Sequence, residues 1–216
     1  MKKIIFMLAA SVFCFQIAGL SQTRVGLSAG VTSANMKGKV EGDRKGGLIT
    51  SLVLDAPIGK SKNFCFHPSL SYVQKGIVEP HPDGTLIEKQ YVALRYAELT
   101  TDFLYYIHGA KGGSFYIGAG PSVAFNIPSK KVSVTDGTKT ARDINFGSTP
   151  ENDFRGVDYG ADFATGYRTK GGFFVSLNYN HGIRNLVTEG TAGHLRNNYI
   201  GVQLGVFLNN GGAKSK

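Results

Sequence analysis

Six charged residues, Arg24, Glu98, Asp102, Asp158, Asp162 and Arg168, interrupt segments in which apolar residues recur at every second position. Carboxylates and guanidinium groups in one phase of such segments offer two kinds of chemistry. One is a buried network of ion pairs and hydrogen bonds, because an unpaired buried charge costs several kcal/mol. The other is a path for protons or ions. The network is the expectation adopted here.

Other chemistry is weaker. His67, His81, His108, His181 and His194 form no zinc-ligand spacing, so no metal and no cofactor are expected. A lipid- or peptide-modifying enzyme would need His, Asp and Ser converging, and His181 and Asp158 fall near one end of the strands. No residue stands out as an activated nucleophile, and no enzyme is expected. Gly118-Ala119-Gly120 lacks the third glycine of a nucleotide loop and precedes no helical pattern. Close backbone approach, a bulge or a bend accounts for it better.

The elements that carry these residues are strands. Ile200, Val202, Leu204, Val206 and Leu208 alternate with Gly201, Gln203, Gly205 and Phe207, so one face of that strand is wholly aliphatic. Phe173, Val175, Leu177 and Tyr179 repeat the pattern. Val157, Tyr159, Ala161, Phe163, Thr165 and Tyr167 oppose Asp158, Gly160, Asp162, Ala164, Gly166 and Arg168. Earlier strands are read at Val25–Val31, Leu48–Ala56, Phe64–Tyr72, Tyr91–Ile107 and Phe115–Phe125. Leu48–Ala56 is apolar on both faces and poorly phased, while Pro68 and Pro121 predict irregularities.

Connections alternate in length. Pro57–Asn63, His108–Gly113 and Thr169–Gly172 are short; Ala34–Gly46, Lys75–Gln90, Asn126–Gly156 and Gly182–Asn198 are long. That alternation predicts an all-β fold, an eight-stranded antiparallel up-and-down transmembrane β-barrel, with short turns in the periplasm and long loops outside. Aromatic placement agrees. Phe64, Tyr105, Phe115, Tyr167 and Phe173 stand beside the short turns, and Tyr72, Tyr91, Phe125, Tyr159 and Tyr179 beside the long loops. Tyr159 to Tyr167 spans about 26 Å of strand, or about 20 Å of depth when tilted, close to a thin apolar band. Tyr199 and Phe207 break the phase. An interior of about eight strands is filled by side chains, whereas open channels need about 16.

Met1-Lys2-Lys3 and the apolar run to Ala18 predict a signal peptide over 1–21, followed by the barrel domain over 22–210 and a short polar tail over 211–216. Cys14 leaves with the signal, so Cys65 has no intramolecular disulfide partner. Without Lys2 and Lys3, 22 basic residues stand against 15 acidic ones, net +7. Export excludes nucleic acid as the partner and leaves an anionic lipid surface, or no specific partner at all. The expected location is the outer membrane of a Gram-negative bacterium, among its lipids and lipopolysaccharide. A protein partner at the extracellular loops is the further possibility. The longest loop, 126–156, carries Lys131-Val132-Ser133-Val134-Thr135 before Asp136-Gly137, which predicts a hairpin extending above the membrane. A solvated loop with no partner is the first expectation for it, and an adhesin-like or ligand-binding surface is the alternative.

Gly118-Ala119-Gly120-Pro121-Ser122, Val157-Asp158-Tyr159-Gly160-Ala161-Asp162-Phe163 and Gly172-Phe173-Phe174-Val175-Ser176-Leu177-Asn178-Tyr179, in this order, resemble the PorT-like outer-membrane β-barrel family. Asn180-His181-Gly182-Ile183-Arg184-Asn185-Leu186 and Tyr199-Ile200-Gly201-Val202 extend the resemblance, which is densest after Gly113. It implies an eight-stranded outer-membrane barrel and no agreed activity. The chain departs from typical outer-membrane proteins by ending in a Lys-containing tail, with Phe207 nearest to a terminal aromatic.

Overall fold

A computed structural model describes residues 23–38, 42–80, 87–109, 112–190 and 193–208. The expected signal peptide, the polar tail and His81 lie outside the described residues. Nine strands follow one another: β1 (Arg24–Gly38), β2 (Asp43–Ile58), β3 (Phe64–Pro80), β4 (Lys89–His108), β5 (Ser114–Thr135), β6 (Thr138–Asp143), β7 (Val157–Arg168), β8 (Phe173–Gly182) and β9 (Leu195–Phe207). Eight of them close a ring. Sequential strands pair antiparallel, β5 pairs β7 directly, and β9 returns to β1. The ninth, β6, pairs only with the upper part of β5. Asp136 and Gly137 form the tip of this hairpin with φ of 49° and 73°, the left-handed pair that a tight hairpin turn requires.

The strands outrun the expected bounds. Ala34–Gly38, Asp43–Gly46, Lys75–Pro80 and Lys89–Gln90 were expected in loops and instead continue β1 to β4. Backbone pairing continues above the apolar band, but the outward face no longer needs greasy side chains there. The alternation therefore fades before the strand does. Pro68 and Pro121 each interrupt a ladder as expected, but neither shifts the register, so the bulge expected at Pro68 is absent. Pro68 pairs Thr101 on β4 and leaves a gap toward β2, between the Val53–Ser69 and Ala56–Phe66 pairs. Pro121 pairs Ala161 on β7 and leaves the matching gap toward β4. A missing N–H removes a ladder bond without inserting a residue. Gly118 and Gly120 mark close approach: a Cβ on Gly120 would stand 2.1 Å from the Thr101 carbonyl oxygen.

The wall is inverted relative to a water-soluble protein. Leu204 is 69% exposed and Phe173 65%, while Lys75, Glu98 and Asp162 are each 1% exposed. Leu27, Val31, Leu70, Phe103, Ile117 and Val202 also face out. A closed barrel satisfies its backbone bonds between strands, so such an exterior is stable in hydrocarbon. Aromatic pairs ring the short-turn end, with Phe64 and Tyr105 at 5.0 Å and Phe115 and Tyr167 at 4.8 Å. Tyr72, Phe125, Tyr159 and Tyr179 ring the other end. Tyr91 leaves that ring: it pairs Val78, six residues past Tyr72, roughly 15 Å higher on a tilted strand. Tyr199 and Phe207 turn inward and are buried.

Candidate functional site

The side chains of the lumen form three polar tiers under an apolar lid. The lowest tier centres on Asp55 of β2, which is fully buried. Arg24, its register partner on β1, holds Asp55 Oδ2 at 2.7 Å, and Arg168 of β7 holds the same oxygen at 2.9 Å. His67 Nδ1 lies 3.7 Å from Oδ1. The Arg168 guanidinium also covers the Tyr106 ring at 4.3 Å. Buried Cys65, Leu104, Tyr116 and Ala164 pack with Tyr106.

The middle tier is mostly neutral. Ser28 and Ser51 both donate to Gln203 Oε1 at 2.9 Å, and Gln203 Nε2 donates to Asn178 Oδ1 at 3.3 Å. Asn178 and Asn180 donate to the two oxygens of Asp162 at 3.0 and 3.3 Å. Asp102 of β4 is buried across β5 from Asp162 of β7. Gly120 of β5 is the partner of Asp162 and puts no side chain between the two carboxyls. The space left in this tier is about 20 Å³, lined by His67, Asp102, Tyr116 and Gln203 among others. That is room for about one water.

The upper tier is an ion triad. Lys75 Nζ lies 2.6 Å from Glu98 Oε2 and 3.5 Å from Asp158 Oδ2. Its ammonium also sits 5.2 Å from the Tyr96 ring centre and 5.1 Å from that of Tyr199. The Tyr199 hydroxyl donates to Glu98 Oε1 at 2.5 Å, and Asn197 Nδ2 donates to Asp158 Oδ2 at 3.2 Å. Such desolvated charges stand because each has partners of opposite sign or hydrogen bonds.

Above the triad the lumen turns apolar. Ile77, Val92 and Leu94 meet Ile144, Leu186 and Val187 from the two longest connections, with Phe146 and Phe154 packed against them. Backbone bonds lace those connections together: Arg155 N donates to Leu186 O at 3.0 Å, and Arg155 Nε to Val187 O at 2.9 Å. Arg142 grips Asp153 through two bonds of 3.1 and 2.7 Å and so anchors β6 to the lid. Those bonds hold the Asp153 carboxyl below the ordinary carboxylate range, against a smaller opposing effect of burial. All six residues of β6 are exposed.

Arg24, Glu98, Asp102, Asp158, Asp162 and Arg168 thus all turn into the lumen, but in separate tiers. Two members of the ion clusters, Asp55 and Lys75, escaped the sequence reading. Lys75 keeps the inward phase of Val73, and Asp55 that of Val53, which is the signal that identifies them. His181 shares the outward phase of Tyr179, whose hydroxyl lies 3.3 Å from its Nδ1. Asp158 faces the lumen, so the wall separates the pair that an enzyme at the rim would use. Among the described residues no cluster of His, Cys, Asp and Glu suits a metal ion.

The family described as outer membrane protein beta-barrel domain matches residues 18–188. The chain belongs to this family. It is an outer-membrane β-barrel of a Gram-negative envelope, and the apolar exterior is its lipid-facing wall. No curated protein matches it in sequence. Among solved structures it is similar to Neisserial surface protein A (NspA), with 11% identity, a TM-score of 0.47, and 84% of this chain and 96% of that chain covered. It is also similar to Ail, the attachment invasion locus protein of Yersinia pestis, with 10% identity, a TM-score of 0.46, and 87% and 99% covered. A second Ail structure, in complex with the heparin analogue sucrose octasulfate, gives 11% identity, a TM-score of 0.44 and the same coverage. In this outer-membrane barrel, then, the tiers follow one another from the short-turn end to the lid, and the β5 arm of the β5–β6 hairpin stays paired with β4 up to Val134 while β6 is exposed.

Proposed function

We propose that this outer-membrane barrel is a PorT-like member of its family with a structural or surface-interaction role. It has a filled interior, no large pore and no catalytic activity. The observation that carries the reading is the lumen closed at three levels by Asp55, Gln203 with Asp162, and Lys75, beneath the Leu186 lid. A barrel so filled offers the envelope its outer surfaces. An adhesin-like or ligand-binding role through 126–156 is favoured by one further observation. The exposed β6 is fixed at its base by Arg142 and Asp153, which suits a ledge held ready for a protein partner or for lipopolysaccharide. Catalysis on lipid or peptide is disfavoured by the outward His181 and the inward Asp158.

The test combines conductance with crosslinking. The intact barrel in a planar bilayer is expected to give no stepwise ion current, and regular steps would overturn the filled interior. A photoreactive residue at Lys139 is expected to form one defined protein or lipopolysaccharide adduct in living cells. Replacing 131–142 by Asn-Gly abolishes it while the heat-modifiable gel shift of the folded barrel survives. Absence of any adduct would remove the hairpin's role.

A further inference from the structure

The outer wall of β1 to β4 carries a groove of about 540 Å³, lined by Leu27, Thr50, Leu52, Leu70, Tyr72 and Ala97 among others. It exists because small outward residues stand among large ones. Thr50 is the register partner of Ala29 and of Tyr72, and Tyr72 is in turn the partner of Ala97. The groove therefore reaches up to the aromatic ring on the long-loop side, which faces the outer leaflet.

Immediately above Tyr72 the outward face becomes cationic. Gln74 donates to the Tyr72 hydroxyl at 2.9 Å, and its partner across β3 and β4 is Arg95. Lys45 lies across Gly76, where a Cβ would stand 3.2 Å from Lys45 Cδ. Gly76 has φ of +135°, and that Cβ would also meet the Val92 carbonyl oxygen at 1.9 Å, so glycine keeps this floor open. Arg95, across from Gln74, therefore stands two residues along the ladder from Gly76 and Lys45. Among the described residues no acidic side chain forms an ion pair with either. Two neighbouring cations without an acid repel each other unless an anion is shared. Gly76 is four residues beyond Tyr72, roughly 10 Å higher on a tilted strand. That is where a lipid's phosphate stands when its chain lies in the groove.

We propose that β1 to β4 form a binding site for the lipid A part of lipopolysaccharide. A phosphate is shared by Lys45 and Arg95, and an acyl chain lies over Thr50 and Ala97. The site extends the proposed surface-interaction role to the barrel wall and rests on that reading, but it uses no residue of the hairpin.

The test is native mass spectrometry of the full chain in non-ionic detergent, titrated with bisphosphorylated lipid A. Wild type is expected to bind one lipid A. The double variant Lys45→Gln/Arg95→Gln is expected to lose tenfold or more in affinity. Lipid A stripped of both phosphates binds wild type equally weakly. Ala97→Phe fills the groove with both charges intact and also weakens binding, whereas Lys139→Gln on the hairpin changes nothing. A heat-modifiable shift in every variant shows that each barrel is folded. Failure of wild type to bind, unchanged affinity in the double variant, or equally tight binding of phosphatidylglycerol would overturn the site. The hairpin adduct, measured in the same double variant, separates that failure from failure of the surface role.

Discussion

Lys75→Met is expected to destabilise the barrel by about 3–5 kcal/mol, the cost of breaking a buried ion pair by removing one partner. Lys75 is the cation shared by Glu98 and Asp158, both almost fully buried. Its loss leaves two carboxylates facing each other with only Tyr199 and Asn197 to satisfy them. Urea unfolding in phospholipid vesicles, followed by the gel shift of the folded form, measures the effect. The triple change Lys75→Met/Glu98→Met/Asp158→Leu recovers most of the loss, because apolar replacement of a whole buried ion cluster is often neutral or stabilising. Removing the half-exposed Arg142 pair with Asp153 costs far less, within the roughly 0–1 kcal/mol of surface ion pairs. A Lys75→Met loss no larger than that surface value would contradict the upper tier.

The second large effect is on the opposite side of the wall. Leu177 faces out from β8, between Phe173 and Tyr179, beside Thr165 and Val202. Leu177→Arg is expected to cost about 2–4 kcal/mol in vesicles, the penalty for arginine near the bilayer midplane. In a water-soluble protein an exposed leucine replaced by arginine changes stability by only about ±0.5 kcal/mol. The same change at Leu208, outward and at the short-turn end, is expected to cost roughly 0–1 kcal/mol, as near an interface. Equal values at both positions would remove the depth dependence that lipid imposes.

The barrel was legible because lipid writes a two-residue period into every strand that crosses it. Where lipid ends, legibility ends too. Lys75 sits past Tyr72, where the outward residues are Gln74 and Gly76, so the sequence reads as a loop although β3 runs to Pro80. Asp55 is hidden differently. In β2 the apolar lid and lower core draw Ile49 and Val53 inward, so both faces are apolar and the inward acid has no visible phase. The lid itself, Ile144, Leu186 and Val187, lies on irregular backbone and carries no period at all. The hairpin was readable because Asp136-Gly137 specifies a turn locally, without reference to the barrel.

The central claim is that alternate side chains of each strand face lipid, and a nitroxide scan along β8 tests it most directly. In a Cys65→Ser background, single labels at positions 173 to 179 are placed in vesicles and probed with oxygen and a water-soluble nickel complex. The account predicts oxygen-dominated relaxation at 173, 175, 177 and 179, with 174, 176 and 178 shielded from both reagents. Nickel-dominated relaxation at 175 and 177, or no alternation with a period of two, would contradict it.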